Sequence, residues 1–152
     1  MFYQCYSLQS INADFEGMTD STFVFSDCHS LRTFNANLAS LTNGVRAFHR
    51  CELLTDFNGS LASLTSGVEM FLRCKLNLQS VTNIMNSMKT ENNSATGTLT
   101  LGIDKNSKNE VRTYLANNGS IITSDTFDTD KSSTTTFVNA AGNVWNLEIY
   151  WN

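Results

Sequence analysis

The chain contains no proline, only two histidines, and few charged residues, 16% of its 152 positions. No physical account of the missing proline emerges from the sequence. No run of 18 apolar residues occurs, so no membrane-spanning helix is expected. No basic segment followed by an apolar stretch opens the chain, so no secretion signal is read at its start. The protein is then expected to stay inside, to leave by lysis or within a particle, or to be part of a longer chain. A net charge of −4 argues against non-specific nucleic-acid binding, which needs clustered Lys and Arg to neutralise phosphates. The phosphate-binding loop, the G-x-S-x-G elbow and the H-E-x-x-H helix are all absent. Ser, Thr and Asn supply most of the polar surface, and hydrophobic residues reach 41%, enough for one domain with its own core.

What is present is a period. Cys5, Cys28, Cys51 and Cys74 lie 23 residues apart without deviation. Zinc ribbons and disulfide frameworks use short paired spacings such as C-x-x-C, and none occurs. Equal spacing at this length is the mark of stacked repeats. Other columns keep the same step: Phe2, Phe25, Phe48 and Phe71; Leu8, Leu31 and Leu54; Ile11, Phe34 and Phe57; Asn12, Asn35 and Asn58; Phe15, Leu38 and Leu61; Met18, Leu41 and Leu64. One coil cannot bury its own apolar side, but stacked coils bury a continuous core. The cysteines then form a ladder of small buried residues, read as free thiols. Neighbouring strands about 4.7–4.9 Å apart would just permit disulfide geometry.

The fold class expected is α/β: a leucine-rich-repeat solenoid of about four coils over residues 1–88, with short stacked parallel strands, and a C-terminal α/β cap over 89–152 that continues the sheet. Within a coil, residues 31–37 read as a strand, with Phe34 and Ala36 inward and Thr33, Asn35 and Asn37 outward. Gly44 and Gly67 mark a turn. The segments RAFHRC and EMFLRC follow as a helical or irregular turn on the convex side. Leu78, Val81, Ile84, Met85 and Met88 predict a helix, and residues 92–97 a loop. Leu99, Leu101 and Ile103 predict another strand of the same sheet. Ser107 and Glu110 read as a capping box opening a helix that ends near Asn118-Gly119. Trp145, Leu147, Ile149 and Trp151 alternate with polar residues as a final strand.

The columns resemble the BspA-like leucine-rich-repeat family, whose coils carry an aromatic, two residues, Cys, two residues, then Leu. Here these stand as MFYQCYSL, VFSDCHSL, AFHRCELL and MFLRCKLN. Two departures are visible. The proline common after the strand in that family is missing, and Asn77 stands where the fourth Leu is expected. The resemblance implies a repeat scaffold. Family members are often surface proteins of bacteria or protozoa implicated in adhesion, and short variants are similar to proteins of gut-bacterial phages and prophages. A cell-surface or virion-associated protein is what this implies.

The outward strand face is the candidate site: Asn12 and Asp14 beside Ser10; Thr33, Asn35 and Asn37; Asp56, Asn58 and Ser60. Tyr150, with Thr100 and Glu148, extends it on the cap. Asn and Asp offer donors and acceptors suited to a protein or glycan ligand. The bland alternative is an Asn ladder that only stabilises stacking. No catalytic residue, metal or cofactor is assigned. His29 beside Cys28, and His49 near Cys51, read as solvated turn residues rather than nucleophilic pairs. Asp27, Glu52 and Glu69 read as solvated charges. Asp125, Asp128 and Asp130 read as a polar loop, lacking the Gly and closing Glu of a calcium loop. Asp14 and Asp56 are carboxylates that a polysaccharide-cleaving enzyme would need, yet two coils separate them by roughly 10 Å, wider than the usual pair.

The function expected is a non-enzymatic binding module for adhesion or receptor recognition. The alternatives are a structural assembly subunit or a polysaccharide-degrading enzyme. Met1-Phe2 begins inside a coil, so self-association or a partner subunit is expected at the N-terminal coil.

Overall fold

A computed structural model describes residues 1–88, 96–118, 121–122, 133–138 and 142–152. The fold is mixed α/β. Three two-residue strands, β1 (Ser10–Ile11), β2 (Thr33–Phe34) and β3 (Asp56–Phe57), pair in parallel. Their register is Ser10 to Thr33 to Asp56, a shift of 23 residues at each step. The strands are far shorter than the seven residues expected. Pairing is nevertheless carried around the rest of each repeat. The Thr19 carbonyl accepts from the amides of Thr42 and Asn43, and the Thr42 carbonyl from those of Thr65 and Ser66.

A third ladder runs along the turns. The amides of Phe25 and Asp27 donate to the carbonyls of Ala47 and His49, and those of Phe48 and Arg50 to Met70 and Leu72. This segment is a series of tight turns rather than a helix. Its geometry needs two left-handed residues per repeat. One column holds Gln4, Asp27, Arg50 and Arg73, the other Phe23, Arg46 and Glu69, with φ between 53° and 68°. None is glycine, so the strain, of order 1 kcal/mol per residue, is offset by the ladder bonds.

The apolar columns form the core. Phe2, Phe25, Phe48 and Phe71 stack with centroids 5.0–5.4 Å apart and planes within 9°. Phe34 and Phe57 stack beside them and meet this column edge-on at 4.8–5.4 Å. Such offset and edge contacts suit the aromatic quadrupole. The cysteines are free, and Cys28, Cys51 and Cys74 are fully buried. Each thiol donates to the Phe carbonyl of the preceding repeat: Cys28 to Phe2, Cys51 to Phe25 and Cys74 to Phe48, at 3.0–3.2 Å. A small side chain with one weak donor therefore suits this position.

After the third repeat the two sides diverge. Helix α1 (Leu78–Met88) covers the β1–β3 side and buries Val81, Ile84, Met85 and Met88, as its spacing predicts. Ser80 supplies the hydroxyl that receives the Phe57 amide at 2.8 Å, where a further strand would have offered a carbonyl. Strand β4 (Gly97–Ile103) takes up the turn side instead. The amides of Gly67 and Phe71 donate to Thr98 and Thr100, and that of Leu76 to Gly102. A Cβ at Gly102 would collide with the Phe71 carbonyl and the Cys74 backbone, so only glycine lets the strand lie this close.

β4 is one edge of a separate four-stranded sheet, in the order β4, β7 (Val144–Trp151), β6 (Ser133–Val138), β5 (Ile121–Ile122). The expectation that this strand extends the first sheet is therefore corrected. α1 already occupies that position, and β4 finds its open partners in the turn ladder. Trp145, Leu147 and Ile149 of β7 point into the core, as their alternation predicts. Helix α2 (Lys108–Asn117) buries Val111 and Leu115. Its expected capping box does not form. Ser107 makes no side-chain cap bond, and Asp104 instead accepts from the Asn106 amide to open a short 3-10 turn at Lys105–Ser107.

Candidate functional site

The 23-residue register brings eight of the nine candidate residues onto one face. Asn12, Asn35 and Asn58 stand directly above one another. The amide of Asn35 donates to the Asn12 oxygen at 2.8 Å, that of Asn58 to Asn35 at 2.6 Å, and that of Asn83, on α1, to Asn58 at 2.9 Å. The column is thus a structural ladder, continued by a helix residue that the sequence did not point to. Each bond uses one of the two amide hydrogens, so Asn35 and Asn58 each keep one for another partner and Asn12 keeps both.

Two residues along, Asp14, Asn37 and Ser60 form a second polar row. Asn37 accepts from the Ala39 amide at 2.9 Å through its oxygen, a bond that does not use its NH2 group. Between the rows lie Ala13 and Ala36. Together they line a shallow depression of about 410 Å³ that crosses all three repeats, with Asn35, Asn58 and Ser60 on its walls. Gly59 continues the alanine column. A Cβ there would meet the Phe57 ring at 2.7 Å and the Ala36 carbonyl at 3.1 Å. The glycine thus lets the third repeat close over the Phe57 ring.

Thr33 and Asp56 sit on the strands at the start of this face, half-buried. The Asp56 carboxylate accepts from Thr55 at 2.6 Å and from Asn77 at 2.9 Å. Asn77, the departure from the repeat pattern, thus has a structural task. It also receives the Ser80 amide at the start of α1.

Tyr150 does not join this face. It lies on β7 opposite Gly102, in the second sheet. Thr100 is fully buried, and its hydroxyl joins the two parts, accepting from the Glu69 amide at 2.8 Å and donating to Glu148 at 2.9 Å. That role follows from the strand replacing a turn, which no sequence spacing announces.

The turn side carries most of the ionic contacts. Arg46 grips Glu69 through two nitrogens at 2.7 and 3.3 Å and lies over the Phe23 ring at 5.5 Å. The guanidinium holds the Glu69 carboxyl below its ordinary pKa. Arg50 approaches Asp27 at 3.5 Å. His29 stacks on Tyr6 at 5.5 Å, and burial lowers the pKa of His49. Burial pushes the Cys28, Cys51 and Cys74 thiols up, so they stay protonated at neutral pH and are poor nucleophiles. Among the described residues no group of three or more His, Cys, Asp or Glu could hold a metal ion. Among them, too, no helix is long and apolar enough to cross a membrane. Asp125, Asp128 and Asp130 lie outside the described residues, as does most of the loop expected at 92–97. No family model, no curated protein and no solved structure matches this chain.

Proposed function

We propose that the chain is a short leucine-rich-repeat solenoid of the BspA-like kind, serving as a non-catalytic module for adhesion or receptor recognition. The 23-residue parallel register and the recurring Phe-x-x-Cys-x-x-Leu signature support the repeat reading. The observation that carries the binding reading is the polar-walled depression crossing three repeats. One wall is held by the Asn ladder bonds, and its amides keep unspent donors. Rigid periodic faces of this kind bind by matching an extended partner rather than by enclosing a small molecule.

The test compares wild type with Asp14→Ala/Asn37→Asp, which alters the wall outside the Asn ladder and keeps an oxygen to receive the Ala39 amide, on immobilised glycans and peptides. Binding that falls in the variant while the melting temperature holds supports the reading. Equal binding by both proteins moves the site elsewhere.

An assembly role is the second reading. Phe2, Cys5, Leu8, Phe15 and Met18 are only partly buried, whereas Phe25, Cys28, Leu31, Leu38 and Leu41 below them are fully so. An apolar face of this kind favours association with another chain.

A further inference from the structure

We infer that the depression takes a neutral, extended, equatorially linked glycan, laid across the repeats at about one ring per repeat. This rests on the binding reading above and narrows it to one ligand class. The first argument is spacing. Walls built on parallel-paired repeats present equivalent groups about every 4.7–4.9 Å. An extended peptide repeats its same-side groups about every 6.6–6.8 Å, twice its rise per residue, and falls out of register within two repeats. A pyranose chain with equatorial links advances by one ring in nearly the repeat spacing and turns over at each link, so a ring falls on each repeat and alternate rings, two repeats apart, present equivalent groups.

The second argument is valence. The Asn35 and Asn58 amides each have one hydrogen held in the ladder and one left over. The Asn37 NH2 group is free to donate, because only its oxygen is engaged. The Asp14 carboxylate accepts. Sugar hydroxyls both donate and accept, so they satisfy a mixed row of this kind. The third argument is the floor. Ala13 and Ala36 are small and apolar and lie between the two polar rows. A flat ring can settle its C–H face there.

Charge selects among glycans. Asp14 is the one ionised group lining the depression, and it carries no cation to receive sulfate or carboxylate. Sulfated and uronate-rich chains are disfavoured at such a wall.

The test is an NMR titration of the full chain, following the backbone amides of Ala13, Ala36 and Gly59. The probes are cello- and chito-oligosaccharides of one to five rings, a heparin oligosaccharide, and an extended Ser/Asn peptide. The expected result is saturable shifts with the neutral oligosaccharides alone. Affinity rises at least about tenfold from one ring to three, then levels off. Asp14→Ala/Asn37→Asp, which keeps the oxygen that receives the Ala39 amide, weakens it about tenfold without changing the spectrum away from the two sites. If the peptide shifts these amides and no oligosaccharide does, the glycan assignment is overturned and the binding face stands. If the heparin fragment binds best, the charge argument fails and the assignment with it. If no probe moves these amides in a well-folded chain, and none of the immobilised glycans and peptides distinguishes the variant, the face itself is not a site.

Discussion

Cys51→Ala isolates what the cysteine column contributes. The side chain is fully buried, and its thiol donates to the Phe25 carbonyl at 3.1 Å. Truncation removes one sulfur from the core. The lost transfer term is about 0.8 kcal/mol, as for a methylene. A cavity the size of one atom adds a few tenths, at about 24 cal/mol per Å³. The weak S–H bond adds about 0.5 kcal/mol. The Phe25 carbonyl is not orphaned, because it still receives the Cys28 amide at 3.4 Å. The penalty for an unpaired buried acceptor therefore does not apply. The sum is about 1–2 kcal/mol, or roughly 2–8 °C in melting temperature for a chain of this size. Urea unfolding with an unchanged slope measures it. Cys51→Val keeps the bulk and loses the donor, which separates the two contributions. Reductant should leave the wild type unaffected. A large loss of stability on adding reductant would mean that the column is cross-linked, and a Cys51→Ala cost near zero that its packing contributes nothing.

Asn35 is bonded both above and below, so Asn35→Ala should cost about 1–2 kcal/mol in urea unfolding, and an end-of-ladder change at Asn12 less. Gly102→Ala should cost about 1–3 kcal/mol by forcing β4 off the third repeat, whereas Gly17→Ala, with open space around it, should cost little. The Glu69 carboxyl should titrate below its ordinary value and return upward in Arg46→Ala, as followed by carboxyl NMR. Because folding lowers that pKa, its stabilisation is present above the unfolded value and is lost as pH falls through the folded one. His49 follows the same sign: burial lowers its pKa, so stability declines as pH falls below the ordinary histidine value, and His49→Phe should remove that slope. Wild type should associate at micromolar concentration in sedimentation runs and Leu8→Lys should not; a strictly monomeric wild type would end the assembly reading.

The core was legible because its signal is identity at a fixed step. Phe25, Phe48, Leu31, Leu54, Leu38 and Leu61 were all placed inward by the period, and all are fully buried. The faces of α1 and β7 were legible by the same logic at periods of 3.6 and 2. Strand length was not, because pairing here is shared among three short ladders and only two residues per repeat complete a strand. The left-handed turn positions gave no warning, since Gln4, Arg50 and Glu69 look like ordinary surface residues. The place of β4 depends on which side α1 covers, a competition between distant segments that local pattern does not encode. At the candidate site the rows on the repeats were legible, while Tyr150 was misplaced by that same error. The Asn column proved to be the ladder that the bland reading described, and the further wall formed by Asn37 and Asp14 gained importance from it.

Duplicating one repeat probes the stacked coils and their ligand together. Inserting a second copy of residues 29–51 after Cys51 keeps every column in register and lengthens the depression by one step. The expected result is a cooperatively folded chain in which the oligosaccharide length at which affinity levels off rises by one ring. A chain that fails to fold would contradict the stacked repeat, and a folded chain with an unchanged plateau would contradict the ligand lying across it.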